Sequence, residues 1–120
     1  MKLLKHENPW VIEQLKFEVN PDKIEEFIKK DHEVWTKALS SCPGFIKKDI
    51  WVSNKKKGII ITTVYWESRE AWKSISEDFL VKTDKEFHAK FGEENIYSFE
   101  ELHADKHFQK IAESEVITNE

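Results

Sequence analysis

Asp31 is the residue whose position most needs a chemical explanation. The apolar stripe of the first predicted helix runs through it, with its centre on Ile24, Ile28, Trp35, Ala38 and Cys42. An ionised carboxylate buried without partners is costly, so Asp31 must be paired, protonated or beside a cavity that admits water or ligand. Two interpretations stay open. The carboxylate accepts a hydrogen bond from an indole N–H or a tyrosine hydroxyl and pins the helix, or it lines a pocket as a candidate catalytic proton acceptor.

The tryptophans are the second group of candidate site residues. Trp66 and Trp72 stand on either side of the polar joint ESRE, and Trp35 projects from the first predicted helix. Tryptophan is rarely fully buried and its N–H needs a partner, so such a cluster suits a core with a polar inlet or the walls around a flat ligand. We therefore take Trp35, Trp66 and Trp72 as candidate ligand-binding residues, beside the alternative that they are core.

The histidines and the single cysteine give weaker signals. His32 and His88 fall on the flanks of their predicted helices and are expected to be half-exposed, although His88 is kept as a candidate ligand-binding residue. His103 and His107 have i, i+4 spacing but no third ligand, so no metal site is predicted. Cys42 lies at a helix C-terminus, where the dipole raises a thiol pKa, and is not expected to be a nucleophile. The sequence has no phosphate-binding glycine loop and no G-x-S-x-G, CxxC or HExxH motif.

The composition restricts the class of protein and its partners. A chain of 120 residues fits one domain, and its formal charge of −4 is well mixed, without the basic stripe that nucleic acid requires. No apolar run approaches the ~20 residues of a membrane span, and the first ten residues lack the apolar region of a signal peptide. One cysteine excludes an intrachain disulfide and fits a reducing interior. We expect a cytoplasmic protein with no nucleic-acid or membrane partner.

Hydrophobic periodicity predicts the order β-α-β-β-α-β. The predicted strands span residues 10–19, 45–53, 59–66 and 96–102, and the helical regions span 21–41 and 68–91, the second with a break near Ser76. This order predicts an α+β fold, a ferredoxin-like sandwich with one antiparallel sheet and two helices on one face. The domain is expected to cover 10–102, between an N-terminal extension (1–9) and a C-terminal tail (103–120) that begins as a short helix and then frays.

The third predicted strand indicates how the protein assembles. It is apolar on both faces, with Ile60, Val64 and Trp66 on one side and Ile59, Ile61 and Tyr65 on the other. Two helices cover only one face of a sheet, and an exposed apolar face of that size would promote aggregation. We therefore predict a homodimer whose two sheets meet face to face.

Several motifs resemble one known superfamily. The pattern D-x3-W-x3-L from Asp31, then P-G-F from Pro43, then Trp51, is similar to the dimeric α+β barrel superfamily of antibiotic-biosynthesis monooxygenases. Within it, the segment VYWESREAW (64–72) resembles the strand-to-helix joint W-x-S-x-E-x-W of a small uncharacterised bacterial family. The resemblance covers residues 11–101 and implies a ferredoxin-like fold, a barrel formed by two subunits, and a cavity between sheet and helices in each.

The resemblance also implies chemistry, with departures. Members with known activity oxidise aromatic polyketides without a cofactor or bind and open haem. The haem-degrading members have an asparagine on strand one and an iron-ligating histidine in helix two. This chain has Glu13 or Gln14 at the first place, and His88 is displaced by about a turn from the second. These departures lead us to expect no cofactor and in particular no haem. The asparagine–tryptophan pair of the cofactor-free oxygenases is not matched either, which counts against the oxygenase interpretation.

Several functions remain open at this point. The chain is a cofactor-independent monooxygenase-like enzyme with Asp31 as proton acceptor, or a binder of a small aromatic ligand that it does not transform. The alternatives are a purely structural dimer with a filled core and a haem-binding or haem-degrading protein. A cavity with an acid and aromatic walls but no asparagine partner favours the binder over the enzyme, and a filled interior would favour the structural dimer.

Overall fold

The computed structural model describes residues 1–102 and 108–117, and within them the chain forms one antiparallel sheet with helices on one face. The strands are β1 (Lys2–Val19), β2 (Phe45–Val52), β3 (Ile59–Trp66), β4 (Ile96–Leu102) and β5 (Lys110–Glu115). Their order is β2-β3-β1-β4, and β5 pairs with the N-terminal half of β1. This arrangement confirms the predicted α+β, ferredoxin-like fold.

The first helical region follows the sequence prediction closely but is not one regular helix. Asn20 caps it, since its side chain accepts a hydrogen bond from the N–H of Asp22 at 3.1 Å. The region then comprises a 3₁₀ turn (Pro21–Lys23), α1 (Ile24–Asp31), a five-residue π segment (His32–Thr36) and α2 (Lys37–Ser40). Across the π segment the buried residues Val34 and Leu39 are five positions apart, a step that a pattern of 3.6 residues per turn does not predict.

The second helical region breaks where the sequence predicts. It consists of α3 (Arg69–Lys73) and α4 (Glu77–Phe91). The hydroxyl of Ser68 accepts a hydrogen bond from the N–H of Ala71 at 3.0 Å, and that of Ser76 from the N–H of Phe79 at 3.2 Å. Each serine therefore caps its own helix, and the chain changes direction between them.

Strand register decides which side chains face the helices. In the β1–β3 pair Val11 lies opposite Trp66, and Glu13 lies opposite Val64. In the β2–β3 pair Lys48 lies opposite Val64, after a register shift between Phe45 and Lys47. Since side chains alternate between faces, these residues share the helix-facing side of the sheet.

The core consists of two clusters of buried residues under the helices. One contains Val19, Phe27, Val34, Ile60, Phe87 and Phe91, and the other contains Val11, Leu39, Val64, Trp66 and Trp72. Trp35, from the π segment, packs against both clusters. The two clusters are therefore bridged by a tryptophan on the helix side.

The two ends of the chain differ from the sequence prediction. β1 begins at Lys2 rather than at residue 10, and residues 110–115 of the expected tail form β5, which pairs with β1 from Lys2 to Trp10. This pairing is non-local and the segments have little apolar alternation, so periodicity could not indicate it. We call the two paired segments, residues 2–10 and 110–115, the β-arm. The short helix expected from residue 103 lies largely outside the described residues, and the domain boundaries stay a prediction.

The sheet face opposite the helices remains partly exposed. Ile61 and Tyr65 are half-buried there, and Trp51 is 58% exposed. β3 therefore has apolar residues on both faces, with helices over only one of them. Within the described residues, no helix is long and apolar enough to cross a membrane.

Candidate functional site

A cavity of about 720 Å³ lies between the sheet and the helices. Its apolar wall includes Leu15 and Phe17 of β1, Trp35 and Leu39 of the first helical region, and Trp72 of α3. Charged and polar groups from the sheet and the helices interrupt this wall. A small, largely apolar molecule with a few polar atoms is the kind of ligand that such a cavity accommodates.

Asp31, at the end of α1, lines the cavity and is almost completely buried. Lys48 Nζ lies 2.8 Å from Oδ1 with hydrogen-bond geometry and 2.6 Å from Oδ2. Burial raises the pKa of Asp31, and the nearby Lys48 ammonium only partly opposes that increase. The interpretation in which Asp31 accepts a hydrogen bond from an indole N–H or a tyrosine hydroxyl is therefore wrong. The register shift in β2 turns a lysine towards the helix instead.

Glu13 is a second acid of the cavity, on the sheet side. It lies on the same face of β1 as Val11 and Leu15, and it lines the cavity. Burial raises the pKa of Glu13 above its ordinary value of 4.5, while the Trp66 indole N–H and the Lys48 ammonium act in the opposite direction. Glu13 therefore keeps its proton to a higher pH than an exposed glutamate does.

Two buried polar atoms of β3 lack a hydrogen-bond partner among the described residues. They are the indole nitrogen Nε1 of Trp66 and the hydroxyl Oγ1 of Thr62. Trp66 Nε1 interacts with the Glu13 carboxylate enough to lower its pKa, but without full hydrogen-bond geometry. Thr62 is a lining residue of the cavity, but its hydroxyl oxygen is buried within the wall.

The structure brings together most of the residues that the sequence predicted for the site. Asp31, Trp35, Trp72 and His88 all line the cavity. Trp66 is fully buried behind the lining and takes part only through its indole beside Glu13. The ligand-binding and catalytic roles of these residues stay predictions.

His88 lies on α4 at the outer part of the cavity. Its Nε2 is 3.5 Å from Asp84 Oδ1, and 36% of the side chain is exposed. No group of three or more histidine, cysteine or acidic residues within 1–102 and 108–117 could hold a metal ion. His103 and His107 lie outside the described residues, and the expectation of no haem stays a prediction.

The main site residues that the sequence prediction missed are Glu13, Lys48 and Thr62. Glu13 had a usable signal, because it shares the odd positions of its strand with Val11 and Leu15, which face the core. Lys48 had none, since the register shift that turns it inward is not visible in the sequence pattern. For Glu13, the informative signal was thus a polar residue at a strand position that otherwise carries apolar, core-facing residues.

These features define a class, the ferredoxin-like α+β proteins with an apolar cavity between sheet and helices. A family model described as antibiotic biosynthesis monooxygenase matches residues 11–77, which is more than half of the chain. The chain belongs to that family. No curated protein matches the sequence.

Solved structures share the fold at low sequence identity. The cofactor-independent oxygenase SnoaB from Streptomyces nogalater superposes with a TM-score of 0.55 at 14% identity, over 92% of this chain and 97% of that one. A dimeric ferredoxin-like protein from an uncultured marine organism gives a TM-score of 0.56 at 18% identity, over 92% and 94%. A candidate antibiotic biosynthesis monooxygenase from Bordetella bronchiseptica gives 0.60 at 15% identity, over 91% and 99%. At these identities the similarity establishes the fold alone.

Proposed function

We propose that the chain binds a small aromatic molecule in its cavity and oxygenates it without a resident cofactor. The observation that carries this proposal is the cavity of about 720 Å³, whose apolar wall contains a half-buried acid, Glu13, and a buried ammonium, Lys48, on either side of Val64. Membership of the monooxygenase family supports it, as does the fold shared with an oxygenase described as cofactor-independent. An interior cavity also favours a pocket over the filled core of a purely structural dimer.

The reaction needs no external reductant, because the substrate supplies the electrons. In a compound such as anthrone, loss of a proton from the ring CH₂ gives a delocalised anion that can reduce dioxygen. One oxygen atom becomes the new ring carbonyl, and the other leaves as water with the two hydrogens of the former CH₂. The protein has to accept the proton, stabilise the anion and exclude bulk water.

Anthrone is a suitable probe for this proposal. We expect the protein to raise the rate of oxygen uptake above that of buffer, and to form anthraquinone that contains one atom of labelled dioxygen. Leu39→Trp, which fills the cavity, should lower the rate at least about tenfold, whereas Lys29→Trp on the exposed surface of α1 should not change it. A rate equal to that of buffer would contradict the oxygenase proposal. Anthrone binding without oxygen uptake would indicate a binding protein instead.

We also propose that the protein works as a homodimer in the cytoplasm. The partly exposed sheet face with Trp51, Ile61 and Tyr65 is apolar enough to need a cover, and one structural neighbour is described as a dimeric ferredoxin-like protein. The single cysteine fits a reducing compartment. The expected partners are thus a second copy and a small aromatic ligand.

A further inference from the structure

The two acids of the cavity differ in how their charge is compensated. Asp31 forms a buried ion pair with Lys48, whose side chain is only 6% exposed. Glu13 forms no salt bridge with another described residue, and its close polar partner is the neutral indole of Trp66. A carboxylate already bound to an ammonium is a poor proton acceptor, whereas one that faces the cavity beside a neutral donor can take up a proton without breaking an ion pair.

We propose that Glu13, and not Asp31, accepts the proton of the molecule bound in the cavity, while the Asp31–Lys48 pair holds an ammonium beside the anion that results. This inference rests on the proposed function, since it requires a bound molecule with an acidic hydrogen. Glu13 is one of the two residues, with Gln14, that stand where the haem-degrading relatives have an asparagine on strand one.

Strand register supports this division of roles. Glu13 of β1 and Lys48 of β2 both lie opposite Val64 of the central strand β3, on the helix-facing side. Neighbouring strands are about 4.8 Å apart, so the backbones of the two charged residues are roughly 10 Å apart across Val64. A flat molecule stacked over Val64 therefore has a carboxylate at one edge and an ammonium at the other.

The proton step balances within this arrangement. A hydroxyl or activated C–H of the bound molecule loses its proton to a carboxylate oxygen of Glu13, and the bonding electron pair stays on the molecule as a delocalised anion. The Lys48 ammonium lies on the side where it stabilises that anion. The proton returns to solvent or to product when the anion is consumed.

Charged groups from every neighbouring element act on Glu13. Lys48 of β2 and Lys73 of α3 favour its ionised form together with the Trp66 indole, whereas Glu101 of β4 opposes it. The remaining titratable groups of the cavity are Asp31 at the end of α1 and Asp84, Lys85 and His88 of α4. Burial and Glu101 favour the neutral acid and the cations favour the anion, so both states are accessible to a residue that must cycle between them.

The test compares two probes of similar shape, β-naphthol and methylnaphthalene, of which only the first carries an acidic hydroxyl. Binding of each to the full chain is measured by calorimetry from about pH 4 to about pH 8, a range below the pKa of the naphthol. The variants are Glu13→Gln, Glu13→Asp and Asp31→Asn. Glu100→Gln, on the exposed part of β4 and away from the cavity, is the matched control.

We expect naphthol affinity for the wild type to fall by up to about tenfold per pH unit below the pKa of Glu13, and methylnaphthalene affinity to stay constant. Glu13→Gln should remove this acid limb, while Glu13→Asp and Glu100→Gln should keep it. Asp31→Asn should keep the limb, because in this proposal Asp31 takes no proton from the ligand. A limb that persists in Glu13→Gln but disappears in Asp31→Asn would overturn the proposal and make Asp31 the acceptor. If neither probe binds any form of the protein, the proposed function fails and the role of Glu13 fails with it.

Discussion

Asp31 and Glu13 line one cavity, Asp31 almost completely buried and Glu13 half-buried, and burial raises the pKa of each. Their partners nevertheless give them different consequences. Asp31 and Lys48 must be desolvated together, so the pair is costly to form but costlier to break from one side. Glu13 has no salt-bridge partner among the described residues. The cost of desolvating its charge is offset only by the Trp66 indole N–H and by the more distant ammonium groups of Lys48 and Lys73. One acid is therefore tied to stability and the other is free to exchange a proton.

The buried pair should show strong coupling in a double-mutant cycle. We expect Asp31→Leu and Lys48→Met each to lower the free energy of unfolding by about 3–5 kcal/mol, because each leaves one buried charge without its partner. The double variant should cost much less than the sum, since it removes both charges. Urea unfolding measures all the values.

The exposed Lys90–Glu86 pair of α4 provides the comparison. Its atoms lie 3.2 Å apart with side chains 50% and 52% exposed, so its cycle should give a coupling of at most about 1 kcal/mol. If the costs of Asp31→Leu and Lys48→Met simply add, the contact between them contributes little to folding.

Glu13 should make stability fall as pH rises. Its pKa is higher in the folded state than the ordinary 4.5, so the folded protein binds the proton more tightly than the unfolded chain does. Stability from this group is complete below 4.5 and is lost as pH rises through the folded pKa. Glu13→Gln should therefore be more stable relative to wild type at about pH 8 than at about pH 4. Thermal unfolding at several pH values measures this difference, and Glu100→Gln should show no such trend.

At the scale of elements, the predicted parts are those with local causes. Asn20, Ser68 and Ser76 cap helices where the sequence indicates, because a cap depends only on the next few residues. The β-arm, the π segment and the register shift before Lys48 were not predictable. Each depends on a partner far along the chain or on a local change in helix winding that a pattern of 3.6 residues per turn does not predict. The same holds for the site residues. Asp31 was predictable because it is a charged residue within the apolar stripe of a helix, whereas its partner Lys48 was not, because the register shift that turns it inward is not visible in the sequence.

The joint between α2 and β2 gives a prediction at this scale. Gly44 has φ of 88°, and a Cβ there would lie 2.4 Å from Cβ of Ala71 in α3. Gly44→Ala should therefore lower the free energy of unfolding by more than about 2 kcal/mol, since left-handed backbone costs roughly 1–2 kcal/mol before the clash is counted. Ala71→Gly in the same chain should relieve the clash, because it removes the Ala71 Cβ, but it should not relieve the backbone strain at residue 44. Urea unfolding of Gly44→Ala and of the double variant separates the cost of the clash from the cost of the backbone strain. If the two variants are equally stable, α3 already moves aside in Gly44→Ala and the clash costs little.

For the whole molecule, the proposed dimer explains why one face of the sheet is apolar and uncovered in the single chain. The longest dimension of the chain is 45 Å. In the described sheet, strand β5 of the β-arm pairs only with β1. The sheet face with Trp51, Ile61 and Tyr65 lies on the side opposite the cavity. An interface on this face would bury apolar surface. It would leave the cavity of each subunit, which lies on the helix side of the sheet, uncovered by the partner. Assembly and ligand binding should then be separable.

Sedimentation of variants tests this separation. We expect the wild type to sediment as a dimer of the 14.3 kDa chain. Ile61→Lys should shift it towards the monomer, since a charge at the centre of an apolar interface is strongly unfavourable. Lys29→Glu on the outer surface of α1 changes charge without touching the sheet and should remain dimeric. If Ile61→Lys is monomeric and still binds β-naphthol with wild-type affinity, each cavity works without its partner. A monomeric wild type would refute the face-to-face dimer, and loss of binding together with the dimer would show that the sheet interface holds the row of Glu13, Val64 and Lys48 in place.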